Sequence, residues 1–121
     1  MFNTDLYVQV GVNRVVARNV STGQNFTHTS AQPFSHPRML VGNFTEAQAT
    51  VNRAVAEAKG SGLLKLIRVL MHPTELTSGG LSQVEERVLH ELALGSGASK
   101  AVVWVGTTLT DDAVSAKLNG R

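Results

Sequence analysis

The chain has 121 residues, of which 42% are hydrophobic and 5% aromatic, and its 11 basic and 9 acidic side chains give a formal net charge of +2. That length fits one domain over residues 1–121, with a core of Val, Leu, Ala and Ile, and the basic residues (among them Arg14, Arg18, Arg38, Arg53, Lys65, Arg68, Arg87 and Lys100) are too scattered for a nucleic-acid footprint. Cysteine is absent, which excludes disulfides and thiolate zinc sites; no apolar run approaches the ~20 residues of a membrane span, and the start Met1-Phe2-Asn3-Thr4-Asp5 lacks a signal-peptide pattern, so a cytoplasmic protein is expected.

The first half reads as strands. Leu6-Tyr7-Val8-Gln9-Val10 is rich in β-formers and ends at Gly11. A tight connection at Val12-Asn13 leads into a second strand over residues 14–20. The cluster Ser21-Thr22-Gly23-Gln24 forms a turn, and residues 24–32 alternate as a third strand. Short turns between consecutive strands imply an antiparallel meander. Pro33 and Pro37 then bracket a loop that cannot continue the ladder. Within it, Leu40 and Val41 are expected to tuck into the core, although a contact surface is the competing role for residues 35–41.

The second half changes period. Thr45-Glu46-Ala47-Gln48 has the form of a capping box, and Val51, Ala54, Val55 and Ala58 follow on one helical face. Gly60-Ser61-Gly62 stops that helix, and residues 63–71 form an apolar strand. A second helix over residues 82–94 turns Val84, Val88, Leu89 and Leu92 inward, with Ser82 and Glu85 as a second capping box. Gly95-Ser96-Gly97 stops it before a strand from Ala101 to Val105, and Thr110-Asp111-Asp112 caps a short last helix ending near Asn119-Gly120. These glycine stops follow helices, so they supply C-caps rather than phosphate loops. Apolar runs joined through helices mean parallel strands. The expectation is an α/β domain of order βββαβαβα, with a five-stranded mixed sheet and helices on both faces.

The segment from Gly80 through Leu81-Ser82-Gln83-Val84-Glu85-Glu86-Arg87, followed by Gly97-Ala98-Ser99-Lys100, resembles a helix and glycine stop in MreB-type bacterial actin-like ATPases. His72-Pro73 and Asn43-Phe44-Thr45-Glu46 are similar to that family's preceding strand end and first helix start. The resemblance implies one ribonuclease-H-like lobe, the first subdomain of such an ATPase. It also implies a loss of chemistry. Where the family has Asp-x-Gly-Thr on its first strand, this chain has Gln9-Val10-Gly11-Val12, and an amide cannot supply the charge a hard divalent cation prefers. The family's Glu-Glu-Pro is replaced by Val105-Gly106-Thr107.

No catalytic, metal or cofactor residues are therefore assigned, and no cofactor is expected. Glu85, where the family holds a water-orienting glutamate, is expected to serve the capping box. Asp5 is placed at the edge of the first strand, apart from any carboxylate cluster, and His28, His36, His72 and His90 are placed at surface or boundary positions. The expected function is a non-catalytic interaction or assembly protein on a degenerate actin-like lobe, with a protein partner or self-association, related to the cell-shape cytoskeleton. The alternative is a small nucleotide-binding regulator or enzyme using the cleft near Gly11 and between Ser78 and Glu85.

Overall fold

The structure, a computed structural model, describes residues 3–61 and 66–121. Five strands and three helices follow one another as β1 (Asn3–Gly11), β2 (Arg14–Asn19), β3 (Asn25–Thr29), α1 (Phe44–Lys59), β4 (Leu66–Pro73), α2 (Gln83–Gly95), β5 (Lys100–Val103) and α3 (Asp111–Leu118). The strands form one sheet in the order β3-β2-β1-β4-β5. β1, β2 and β3 pair antiparallel, while β1-β4 and β4-β5 pair parallel. The meander, the crossovers and the element order thus agree with the sequence expectation.

Alternation along the central strand explains the layering. Leu6, Val8 and Val10 of β1, with Ile67, Val69 and Met71 of β4, pack against Val51, Ala54 and Val55 of α1 and Leu89, Leu92 and Ala93 of α2. The intervening Tyr7 and Leu70 point the other way, against Val114 and Leu118 of α3. β1 is covered on both faces, which is why its pattern is buried almost throughout. Burying such apolar side chains is worth about 1.5–3 kcal/mol each, so the central strand dominates the stability of the sheet.

Several boundaries differ from expectation, each for a tertiary reason. β3 ends at Thr29 rather than at Gln32, because its partner β2 begins only at Arg14; the Ser30 N–H makes one last bond in register, to the Asn13 carbonyl at 2.9 Å, and beyond it the chain turns at Val12-Asn13. α1 starts at Phe44, with Asn43 as N-cap accepting from the Glu46 N–H; Thr45 lies inside the first turn. The Phe34 carbonyl holds the Asn43 N–H at 2.9 Å and fixes the cap there. Gln48, expected to close a box with Thr45, instead donates to the Leu92 carbonyl and bridges α1 to α2. β4 runs on to Pro73, and the expected start of this strand at residues 63–65 lies outside the described residues. β5 stops at Val103 rather than Val105, where Trp104 turns to donate its ring N–H to the Thr107 carbonyl. No helix among the described residues is long and apolar enough to cross a membrane.

Candidate functional site

The parallel arrangement brings the carboxyl ends of β1 and β4 to one end of the sheet, where ligands of open α/β sheets usually sit. Three connections meet there: the turn at Val12-Asn13, the loop of residues 30–43, and residues 74–82 leading into α2. The long loop is tied down without regular structure. Asn13, with a left-handed φ of 55°, accepts the N–H groups of Phe34 and Ser35 on its side-chain oxygen, both at 2.8 Å. His36 and Met39 exchange backbone hydrogen bonds across Pro37-Arg38. Phe34 is fully buried, and Leu40 and Val41 pack on the core as expected.

Met39 goes outward instead. With Leu76 and Val84 it forms the lip of an apolar slot whose walls include Leu40, Val41 and Leu81 and whose floor includes Val88 and Leu89. The three lip residues are 47%, 42% and 71% exposed, respectively. The placement of Val84 corrects the expectation that it faces the core. It sits in the first turn of α2, ahead of the residues that pack on the sheet, and so overhangs the slot. Of eight exposed large apolar residues among those described, six (Val12, Met39, Phe44, Leu76, Val84 and Val105) lie at this end of the sheet or just past the carboxyl end of β5.

Leu76 adds a conformational signal. Its φ of 57° is in the left-handed region, which costs a non-glycine residue roughly 1–2 kcal/mol. Strain of that kind concentrates where a segment is held for a purpose.

Polar groups at this end answer the expectation of a nucleotide cleft. The Val12 N–H, on the turn where an actin-like phosphate loop would lie, donates to Glu75 Oε1 at 2.9 Å. A Cβ on Gly11 would stand 2.7 Å from the same oxygen. The chain's own carboxylate thus caps this turn, and its charge opposes an anionic ligand there. Glu85 accepts the Ser82 N–H at 2.8 Å while Ser82 Oγ accepts the Glu85 N–H at 3.1 Å. That is the expected capping box, and it commits one oxygen of Glu85 to the helix start. Gly11 and the stretch from Ser78 to Glu85 do share one end of the molecule, but the slot between them is apolar. Among the described residues, no group of three or more His, Asp or Glu side chains could hold a metal ion.

The α3 face carries a second polar assembly. Asp5 lies inside β1, not at its edge, and is directly opposite Arg68 in the parallel register. The Arg68 guanidinium grips both carboxylate oxygens at 2.8 Å, and Ser115 Oγ donates to one of them. Burial pushes the Asp5 carboxyl up, but the Arg68 and Ser115 hydrogen bonds and the Arg68 charge outweigh it and hold the pKa below the usual range. This carboxylate is spent on anchoring α3. At the other end of the helix, Asp111 pairs with Arg18 through two hydrogen bonds at 2.9 and 3.1 Å, beside the Thr110 cap.

His72 is buried at 3% exposure, not at a boundary. Its Nε2 faces the Gly106 carbonyl at 2.9 Å, and a carbonyl can only accept, so this nitrogen carries the proton. Nδ1 therefore accepts from the Tyr7 hydroxyl at 2.6 Å, and that hydroxyl accepts in turn from the Leu109 N–H at 3.1 Å. Every polar atom of the pair is used, and the rings stack with centroids 5.8 Å apart. Burial lowers the His72 pKa, with the Gly106 bond pulling the other way. This is a latch on residues 104–110 rather than an open acid–base pair. His28, by contrast, ties β3 to α1 through Glu57.

Reasoning from sequence missed Glu75, Leu76 and the Tyr7–His72 pair. A lone leucine within Thr74-Glu75-Leu76-Thr77-Ser78 was the one available signal, since an apolar residue in a polar loop must pack somewhere or stay exposed.

No family model matches the chain. It is similar to the Escherichia coli strain K12 protein named Uncharacterized protein YjaA, with 29% identity over 126 aligned positions that cover 96% of this chain and 98% of that protein. The similarity therefore extends over the whole sheet and its helices, not over one motif.

Proposed function

We propose that the protein is a non-catalytic interaction or assembly module on a degenerate actin-like lobe, acting in the cytoplasm beside the bacterial cell-shape machinery. The observation that carries the interaction role is the apolar slot at the carboxyl end of β1 and β4, with Met39, Leu76 and Val84 exposed around it. Exposed apolar groups gathered on one surface mark contact sites far more often than scattered ones do. The strand order β3-β2-β1-β4-β5, with three antiparallel strands followed by two parallel ones, supports a ribonuclease-H-like lobe. Glu75 on the Val12 N–H, and Gln9 in place of a first-strand acid, support the loss of nucleotide chemistry. Fold likeness alone assigns no function, so the slot rather than the topology bears the weight.

Two measurements test this. A photo-crosslinking residue at position 84, in cells, is expected to give a discrete adduct, while the same residue at Leu94, exposed at the other end of α2, gives none. Absence of any adduct at position 84 would sink the interaction role. Thermal melts with Mg-ATP are expected to be unchanged; a ligand present at 100 times its dissociation constant would add about 2.7 kcal/mol of stability, and such a shift would refute the non-catalytic role.

A further inference from the structure

We infer that the outer edge of β5 pairs with the β5 edge of a second copy, antiparallel about a two-fold at Val102, so that two sheets become one. This surface is separate from the slot and does not depend on it. The sheet order puts β5 at one edge, and among the described residues no strand pairs with its outer side. Backbone amides alternate between the two sides of a strand. The Thr74 N–H bonds the Val10 carbonyl and the Trp104 N–H bonds the Met71 carbonyl, both at 2.9 Å. Lys100, Val102 and Trp104 therefore turn their amides toward β4, while Ala101 and Val103 turn theirs outward. An open edge of this kind is a template for another strand unless proline or a charge guards it. β5 has no proline, and its one charge, Lys100, reaches to the Leu118 carbonyl at 2.6 Å instead of across the edge.

Register selects the occupant. About a two-fold at Val102, Ala101 of each copy faces Val103 of the other, and each pair exchanges both of its N–H···O=C bonds. Every outward group of the strand is then used. A two-fold at Ala101 or Val103 would instead set one of these residues opposite a position outside β5. Val102 meets its own counterpart as a non-hydrogen-bonded pair, the closer kind, with Cα atoms about 4.5 Å apart. The strand that fits must be short and apolar on both faces, and β5 is such a strand: Ala101 and Val103 lie on the α2 side, Val102 and Trp104 on the α3 side. Beside Val103 an open groove of about 410 Å³ runs along Glu86, Arg87, His90 and Glu91 of α2, with room for the Ala101 and Val103 side chains of the second copy. The opposite edge, β3, exposes Asn25, Thr27 and Thr29 and offers no apolar match. Glu86 and Glu91 border the β5 edge together with Arg87, Lys100 and Lys117, so no field of one sign keeps two copies apart.

The test uses the full chain. Small interfaces are weak, so light scattering is expected to show the mass rising from 12.9 kDa toward twice that value between about 1 and 500 μM. The chain has no cysteine, so Val102→Cys introduces a single thiol at the proposed axis. A non-hydrogen-bonded pair lies within the roughly 4.4–6.8 Å between Cα atoms that a disulfide spans. Oxidation should link this variant into a dimer at least about tenfold faster than Thr27→Cys, whose thiol is exposed on β3. Val102→Lys and Val102→Glu should each stay monomeric, because the two-fold sets like charges face to face. An equimolar mixture of the two should form a dimer with one of each, a rescue that also shows both variants to be folded.

A mass that stays at 12.9 kDa over the whole range would overturn the inference, as would a disulfide forming no faster at position 102 than at position 27. So would a dimer that survives both charged variants, or one that is lost in each and not restored in the mixture while both melt like the parent chain. Should either charged variant melt early, the cysteine comparison decides. Growth past the dimer would also overturn it, because β5 pairing with β3 of the next copy makes an open chain and a two-fold contact closes. None of these outcomes touches the crosslink at position 84, which tests the slot by itself.

Discussion

Replacing Tyr7 with phenylalanine removes one oxygen from the latch on residues 104–110 and leaves the packing almost untouched. The ring is 3% exposed and stacks on His72, so its apolar contacts persist. What is lost is the donor to His72 Nδ1 and the acceptor for the Leu109 N–H. A buried acceptor left without a partner costs about 1–3 kcal/mol. His72 is equally buried and has no second donor, whereas the Leu109 amide is only partly buried and can turn to water. We expect a total loss of about 2 kcal/mol, most of it from His72. For a chain of this size, between the ranges for smaller and larger domains, this corresponds to a fall in Tm of roughly 6–10 °C. Urea unfolding at neutral pH measures it, with an unchanged m-value showing that the same surface is exposed on unfolding. Adding His72→Leu should recover part of the loss, because the orphaned acceptor disappears with the ring. A loss below about 0.5 kcal/mol, within the range of ordinary surface substitutions, would refute the claim that the pair is a satisfied buried network.

The same pair sets a pH dependence. His72 is held neutral in the fold, so the unfolded chain takes up a proton at a pH where the folded chain does not. This contribution to stability is complete above the ordinary histidine pKa of ~6.5 and is lost as pH falls below it; melts from pH 8 to 5 should show the decline, and His72→Gln should flatten it. Arg68→Met strands the Asp5 carboxylate with Ser115 alone and should cost about 3 kcal/mol, with hydrogen exchange in α3 accelerating before the rest, because Arg68 also reaches Asn119 past the end of that helix. Ser82→Ala removes half of the α2 capping box and should cost about 1 kcal/mol in the same urea assay.

The parts of this fold that were legible in the sequence are those decided locally. Ser82 and Glu85 meet because they lie three positions apart at a helix start, and Thr110 caps α3 through Ala113 for the same reason. The glycine stops followed from backbone geometry: Gly60 and Gly97 adopt φ of 72° and 102°. What failed was decided by distant partners. Asn43 and Thr45 are both good caps, and only the Phe34 carbonyl on the Asn43 N–H chooses between them. Asp5 looked peripheral until β4 placed Arg68 beside it, 63 residues away. His72 is 65 residues from Tyr7, and no spacing rule connects them.

Val84 shows why the candidate site was harder to see than the fold. Its position on the helical wheel puts it near Val88, and periodicity alone assigns both to the core. Val88 packs there; Val84, in the first turn, lines the slot beside Met39 and Leu76 instead and stays exposed. A core requires nothing of Val84, Met39 or Leu76, since each remains largely exposed, and Leu76 also carries a conformational cost. Residues that add little to stability and strain the backbone make sense where another surface completes them. The loop that positions Met39 is fixed by Asn13 and Ser35 rather than left free, so little ordering entropy remains to be lost when that surface arrives. Under the proposed interaction role, the carboxyl end of this sheet is prepared for contact before contact is made.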